Sequence, residues 1–157
     1  MVKEKYGKMT EVKFYESIED ELLKFAVIIS KTQNKYVFCK HKDRDTWEIP
    51  GGHREQIPEN TGNWENILDT AKRELYEETG ALEFDIKPIC VYSVTAPDNF
   101  GGKESFGMLF FADIECFETE LHSEIEKIAI MDELPERWTY PDIQPYLINE
   151  AKRRGYL

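Results

Sequence analysis

The sequence predicts a fold of the α/β (α+β) class, a mixed α/β sandwich formed by residues 1–157 as one domain. Three observations predict it. β-Forming segments occupy the first quarter of the chain and the stretch after residue 81, a hydrophobic stripe at helical spacing lies between them, and a second helical stripe follows near the end. Strands and helices that alternate in this way imply packed layers.

Segments rich in β-forming residues predict the strands, and polar or glycine-containing turns separate them. The predicted strands are residues 11–15, 23–30, 35–40, 82–94, 105–117 and 125–131. Residues 46–49 form a shorter extended piece, which the breaker Pro50-Gly51-Gly52 ends.

Two helices are expected from hydrophobic spacing and from their end signals. The first begins near Trp64, with Asn63 as its N-cap and Gly80 as its stop. The second has Pro141 in its first turn and Gly155 after its end. Its expected apolar face consists of Ile143, Tyr146, Leu147 and Ala151.

Composition limits the classes of partner. A net charge of −11 argues against nucleic-acid polymers, which normally require a basic footprint. No run of 18 apolar residues and no N-terminal apolar segment occur, so we expect no membrane association and a cytoplasmic location. Three widely spaced cysteines indicate free thiols rather than disulfides. Whether the protein forms a homodimer is left open.

A cluster of carboxylates near the end of the first predicted helix is the main functional signal. Glu74 faces Glu77 at i,i+3 and Glu78 at i,i+4, and like-charge pairs at these spacings each cost about 0.2–0.5 kcal/mol. The macrodipole also disfavours anions at a helix C-terminus. Arg73 can offset part of this repulsion, and a bound cation would offset the rest. Carboxylates suit hard divalent ions such as Mg²⁺ or Mn²⁺.

Two further features can join this cluster in one site. Gly51-Gly52 lets the backbone approach a metal or a phosphate, and a glycine carbonyl can join the coordination sphere. Glu65 lies in the expected first helical turn. A metal held in this way neutralises phosphate charge and lowers the pKa of an attacking water.

The order of these residues resembles the signature of the Nudix hydrolases, the MutT-like family. The family pattern is Gly, five residues, Glu, seven residues, then Arg-Glu-aliphatic-x-Glu-Glu-x-Gly-aliphatic. Seven residues separate Glu65 from Arg73, and residues 73–80 follow in register. Two departures stand out. Twelve residues rather than five separate Gly52 from Glu65, which indicates an insertion near residues 56–62, and Ala81 replaces a larger aliphatic residue.

The resemblance implies a Nudix-type mixed β-sheet sandwich flanked by helices. It also implies roles for the motif residues. Glu74 and Glu78 are expected to be the main metal ligands, joined by Glu77. The carbonyl of Gly51 or Gly52 is expected to add a ligand. Glu65 and Arg73 are expected to pair and to hold the loop against the helix, an arrangement that fixes ligand geometry.

The motif leaves the general base and the substrate contacts to other residues. The family often draws the base from a downstream loop or strand, and the carboxylates there are Glu104, Glu124 and Glu126, with the last two favoured. Candidate substrate contacts are the basic residues near the diglycine and an aromatic residue in a glycine-flanked loop. These are His53, Arg54, Arg44 and Phe100.

The resemblance implies Mg²⁺-dependent hydrolysis of a nucleoside diphosphate-linked small molecule. A nucleoside triphosphate, oxidised forms included, is the favoured substrate class, with a monophosphate and pyrophosphate as products. ADP-ribose, dinucleoside polyphosphates and nucleotide sugars stay open as alternatives. A Nudix domain that senses a nucleotide without catalysis is the rival of another class.

Overall fold

The computed structural model describes residues 10–97, 100–119 and 125–157, without the side chains of residue 100 and residues 125–127. Its strands are β1 (Glu11–Tyr15), β2 (Leu23–Thr32), β3 (Lys35–His41), β4 (Gly51–His53), β5 (Ala81–Thr95), β6 (Ser105–Phe117) and β7 (Ile125–Met131). Its α-helices are α1 (Ile67–Thr79) and α2 (Gln144–Arg153).

The strands form one mixed sheet in the order β1-β5-β6-β2-β3-β7, and the short β4 pairs with β2. The central strands β2 and β6 are parallel, whereas the other pairs are antiparallel. Strand β4 lies beside the first half of β2, with Gly51 opposite Val27 and His53 opposite Phe25. The sheet thereby fixes the position of the diglycine.

Side chains that alternate along β2 build a core on each face of the sheet. Ala26 and Ile28 lie in the core under α1, whereas Val27 and Ile29 lie in the core under α2. This follows from the two-residue period of a strand that is covered on both faces. The predicted mixed sandwich flanked by helices is confirmed.

Helix α1 begins later than the sequence predicts. Its N-cap is Asn66, whose side-chain oxygen accepts a hydrogen bond from the Leu68 N–H at 2.8 Å, so the assignment of Asn63 was wrong. The Asn63 carbonyl instead accepts from the Ile57 N–H in the preceding loop. The predicted stop at Gly80 is present, with a left-handed φ of 77° that glycine adopts without strain.

Replacing Asn66 by Ala is expected to lower the free energy of unfolding by about 1 kcal/mol, because the side chain that caps α1 is lost. Chemical denaturation monitored by circular dichroism measures the change. Asn63→Ala is the matched control, with an expected change below about 0.5 kcal/mol. Equal losses in the two variants would contradict this assignment of the helix start.

Helix α2 also begins later than expected. Pro141 lies in a turn before the helix, and Pro145 occupies the first helical turn instead. Tyr146 was expected on the apolar face but is exposed. The buried face of the helix is formed instead by Leu147, Ile148 and Ala151. Gly155 follows the end of the helix with a φ of 89°.

The three cysteines are free thiols, as predicted. Cys39 and Cys90 are buried, and burial raises the pKa of Cys90 to about 11. In the part of the chain that the structure describes, no helix is both long and apolar enough to span a membrane.

Candidate metal and phosphate site

The acidic side chains of α1 differ in burial. Glu74 and Glu78 turn toward the sheet, where their side chains are 12% exposed, whereas the Glu77 side chain is 42% exposed. Burial is the main cause that raises the pKa of Glu74 to about 7 and that of Glu78 to about 8. Repulsion between neighbouring carboxylates adds to the effect, so the cluster favours a positive charge beside it.

Strand β4 forms the wall against which the two buried carboxylates lie. The Gly51 N–H donates to Glu78 Oε1 at 2.8 Å. A Cβ atom at Gly52 would lie only 2.2 Å from the carboxyl carbon of Glu74. Glycine is therefore required at Gly52, because the Glu74 carboxylate approaches the backbone so closely. Gly51 contacts Glu78 through its N–H, whereas the resemblance implies a role for a glycine carbonyl.

The guanidinium of Arg73 joins the parts of the motif. It binds both oxygens of Glu65, with Nη2 2.6 Å from Oε1 and Nε 3.2 Å from Oε2. Its Nη1 donates to Glu74 at 3.0 Å and to Glu77 at 3.2 Å, and its Nη2 donates to the His53 carbonyl at 2.9 Å. One side chain thus ties the helix, the preceding loop and β4 together.

Glu65 lies before the N-cap of α1, not in its first turn as expected. Its carboxylate also accepts from the Thr70 hydroxyl at 2.9 Å and from the Glu55 N–H at 3.1 Å. Burial alone would raise the pKa of Glu65, but these donors and Arg73 lower it overall. The buried residue therefore stays ionised and fully hydrogen-bonded.

Arg54, a predicted substrate contact, has a different place in the structure. Its guanidinium donates to the Glu65 carbonyl at 2.7 Å, to the Asp20 carbonyl and carboxylate at 2.8 Å, and to the Leu23 carbonyl at 3.2 Å. It is buried and does not line the cleft described below. Through these contacts, Arg54 holds the turn at residues 20–22 against the loop before α1.

A cleft of about 400 Å³ opens beside Glu78 and the diglycine. Its floor is largely apolar, with the Phe25 and Tyr92 rings 5.4 Å apart. Two predicted substrate contacts, Arg44 and His53, lie on its wall. The other lining residues are Val27, His41, Glu48, Ile49, Gly51, Gly52, Val94, Tyr140, Ile143, Gln144 and Leu147.

Sequence reasoning missed Glu48, which is 6% exposed and lies in the cleft wall. Its carboxylate is 3.2 Å from His41 Nε2 and 3.1 Å from Arg44 Nη1, and His41 Nε2 lies 3.3 Å from Glu78 Oε2. The available signal was the single charge in the extended segment 46–49, which only Pro50 separates from the diglycine.

Three predicted residues fall where the structure gives no side chain. Glu124 lies outside the described residues, Glu126 is described only by its backbone in β7, and Phe100 only by its backbone in a short turn. The third base candidate, Glu104, accepts hydrogen bonds from the hydroxyls of Tyr15 at 2.5 Å and Ser93 at 2.6 Å. It does not line the cleft.

The donor set fits a hard divalent cation. Among the described residues, no three His, Cys, Asp or Glu side chains form a ready metal shell as they stand. Arg73 and the Gly51 N–H already occupy oxygens of the buried carboxylates. The close wall at Gly52 and an all-oxygen set of acidic donors nevertheless match the preference of Mg²⁺ and Mn²⁺.

Replacing Gly52 by Ala is expected to weaken Mn²⁺ binding at least about tenfold, because the new methyl group must displace the Glu74 carboxylate. Isothermal titration calorimetry with MnCl₂ measures the affinity. The melting temperature should change little, since the displaced atoms are the end of a flexible side chain. Unchanged Mn²⁺ affinity would contradict a role for Glu74 as a ligand.

The neighbouring variant Gly51→Ala is the matched comparison. Its Cβ would lie 2.6 Å from the backbone oxygen of Ala26. We expect a loss of about 1–3 kcal/mol in the free energy of unfolding, because the pairing of β2 with β4 must shift. Gly52→Ala should therefore lower mainly the Mn²⁺ affinity, whereas Gly51→Ala should lower mainly the free energy of unfolding.

Comparisons with known proteins agree with this geometry. A family model described as the NUDIX domain matches residues 21–147. The chain is similar to the Bacillus subtilis pyrophosphohydrolase BsRppH, with a TM-score of 0.71 and 24% identity over 94% of this chain and 92% of that chain. A NUDIX hydrolase from Nitrosomonas europaea gives a TM-score of 0.62 and 20% identity, over 82% of this chain and 87% of that one.

The NUDIX domain of Shewanella oneidensis NrtR, solved in complex with ADP ribose, gives a TM-score of 0.60 and 17% identity over 83% of this chain and 86% of that one. No curated protein matches the chain significantly. The structural likenesses, each under 25% identical, show the fold. Because the family model spans residues 21–147 and the signature residues meet in one site, the chain belongs to the NUDIX domain family.

Proposed function

We propose that this protein hydrolyses a nucleoside diphosphate-linked small molecule with the help of Mg²⁺ or Mn²⁺. The favoured substrate class is a nucleoside triphosphate, oxidised forms included, with a monophosphate and pyrophosphate as products. One observation carries the proposal: two buried carboxylates, Glu74 and Glu78, lie against the diglycine strand beside a cleft of about 400 Å³.

Glu74 and Glu78 would hold the metal, with Glu77 as a third carboxylate and a carbonyl of Gly51 or Gly52 as a further ligand. A divalent ion bound there neutralises phosphate charge and lowers the pKa of an attacking water. The protein supplies the positioning. Arg73 and Glu65 form a bidentate pair that fixes the start of α1. Such pairs orient the metal ligands without binding the metal themselves.

The cleft wall supplies contacts for the substrate. Arg44 and His53 lie on it, and we assign them to the phosphates of the substrate. The apolar floor, with the Phe25 and Tyr92 rings, suits a flat group attached to the diphosphate. We draw the general base from Glu124 and Glu126, and the single Gln variant with the larger loss of kcat identifies it.

The charge of the chain supports a small nucleotide over a nucleic-acid polymer. A net charge of −11 repels a long phosphate backbone, whereas a single metal-bound diphosphate is neutralised locally. Sedimentation velocity tests the open question of a homodimer.

The deciding experiment measures product release from a panel of substrates at a saturating concentration of Mg²⁺. The panel contains dGTP, 8-oxo-dGTP, ADP-ribose, a diadenosine polyphosphate and a nucleotide sugar. ADP-ribose is included because the Shewanella oneidensis domain binds it. Pyrophosphate and a monophosphate as products from a triphosphate would support the favoured class.

Other outcomes of the panel have defined meanings. Turnover of ADP-ribose or a nucleotide sugar alone would move the substrate class to that alternative. Nucleotide binding without turnover of any compound would contradict hydrolysis and support the nucleotide-sensing rival. Turnover that persists in excess EDTA would contradict the metal requirement.

A further inference from the structure

We propose that Glu48 is a positioning residue of this Nudix site, which aligns His41 against Glu78 and directs Arg44 into the cleft. The inference rests on the proposed function, because it assigns Glu78 to the metal and Arg44 to the phosphates. It adds a residue outside the motif of residues 51–81. One buried carboxylate then sets the geometry of both ends of the site.

The backbone of Glu48 is fixed on both sides. Its N–H donates to the Cys39 carbonyl and its carbonyl accepts from the Cys39 N–H, each at 3.0 Å. Three residues later, the Gly51 N–H donates to Glu78. The short segment from Glu48 to Gly51 is therefore anchored to β3 at one end and to α1 at the other. A side chain on this segment has a defined direction toward the cleft.

The first oxygen of Glu48 reaches the metal half of the site through His41. His41 Nε2 lies 3.2 Å from Glu48 Oε1 and 3.3 Å from Glu78 Oε2. Glu78 is thus held by the Gly51 N–H on one oxygen and contacts the His41 ring on the other. Groups that orient metal ligands in this way commonly change metal affinity by 10–100-fold when removed.

The second oxygen of Glu48 reaches the substrate half through Arg44. Arg44 Nη1 donates to Glu48 Oε2 at 3.1 Å, while the Arg44 side chain is 47% exposed. An ion pair with so exposed a partner adds little to stability. Its main effect is on direction, because Glu48, together with the side chain of Tyr140, holds the guanidinium on the wall of the cleft.

Burial of Glu48 argues for a functional reason as well. A carboxylate that is 6% exposed loses most of its hydration, and only paired donors offset that cost. Replacing such a charged network by apolar residues is often neutral or stabilising. Stability alone therefore gives little reason to keep a charge at this point in the wall of the cleft.

A double-mutant cycle between Glu48→Gln and His41→Gln tests the metal arm, with Mn²⁺ affinity from isothermal titration calorimetry as the readout. We expect Glu48→Gln to weaken Mn²⁺ binding about tenfold. In the His41→Gln background, the same change should cost less than about twofold, because the effect of Glu48 runs through His41. Glu83→Gln, an exposed carboxylate on β5 outside the cleft, is the control.

The substrate arm uses the compound with the highest turnover in the panel. Glu48→Gln should raise KM severalfold, and this rise should vanish in the Arg44→Gln background. Additive losses in both cycles, or unchanged Mn²⁺ affinity in Glu48→Gln, would overturn the proposal. A fall in melting temperature in EDTA comparable to loss of a core contact would also overturn it, because the role would then be structural.

The two proposals fail separately. A wild-type protein that binds Mn²⁺ with the expected cycle but hydrolyses nothing in the panel contradicts only the proposed function. Active protein with additive cycles contradicts only the assignment of Glu48. The conservative variant Glu48→Asp, which keeps the charge, should recover more of the Mn²⁺ affinity than Glu48→Gln if the pairing with His41 matters.

Discussion

Glu78→Gln is expected to lower kcat by about 10²–10³-fold, the scale seen when one preorganised electrostatic group is lost from an active site. Glutamine matches the size of the side chain and its oxygen can still accept from the Gly51 N–H, so the local packing survives. What disappears is the negative charge beside Glu74. The measurement is steady-state turnover of the preferred substrate with saturating Mg²⁺.

Stability should move in the opposite direction from activity in this variant. Glu78 is a largely buried carboxylate near three others, Glu74, Glu48 and Glu77, and metal-free protein bears the cost of that crowding. We therefore expect the melting temperature of Glu78→Gln in EDTA to be no lower than that of the wild type. Turnover within threefold of the wild type would contradict the assignment of Glu78 to the metal.

Two other glutamates provide internal controls for this result. Glu77→Gln should have a smaller effect on kcat, because its side chain is 42% exposed and less preorganised. Glu83→Gln, on the exposed face of β5, should leave turnover unchanged. Equal losses at Glu77 and Glu78 would show that total negative charge, rather than position, determines activity.

Arg73→Met is expected to lower the free energy of unfolding by about 3–5 kcal/mol, because it leaves the buried Glu65 carboxylate without its partner. Chemical denaturation in EDTA measures this loss apart from any metal. The matched control is Arg153→Met on α2. Its side chain is 67% exposed and pairs with Glu150, so the expected loss is much smaller than at Arg73.

The pH dependence of this difference follows from the lowered pKa of Glu65. Ionised Glu65 contributes its full stability above the ordinary carboxyl pKa of 4.5, and the contribution is lost as the pH falls through the lower folded-state value. The difference between wild type and Arg73→Met should therefore be largest above about pH 5 and should shrink in more acid solution. A difference that grows on acidification would contradict the pairing.

Most of the fold could be predicted because its signals are local. The stripe from Ile67 to Leu75 and the stop at Gly80 define α1 without reference to the rest of the chain. The long strands β5 and β6 likewise follow from runs of β-forming residues. The start of α1 could not be placed, because backbone pairing across the preceding loop delays the helix to Asn66.

The motif residues of the site could be predicted, and their surroundings could not. The resemblance to the Nudix signature implied an ion pair between Glu65 and Arg73, and the structure contains it. Arg54 and Glu48 depend on contacts between distant segments. The carbonyls that hold Arg54 come from residues more than ten positions away. Glu48 reaches its site only because β3 pairs with the last residues of β2 while β4 pairs with its first half.

The loop between β4 and α1 explains how Glu65 keeps its position although twelve residues separate it from Gly52. Its two arms are joined by hydrogen bonds from the Glu65 N–H to the Glu55 carbonyl and from the Ile57 N–H to the Asn63 carbonyl, each at 2.9 Å. These two hydrogen bonds fix the position of Glu65 at the base of the loop. The number of residues beyond them therefore has little effect on the helix. Residues 59–62 should therefore tolerate the insertion of a peptide tag or a fluorescent reporter. The acidic cluster would keep its geometry in such a protein.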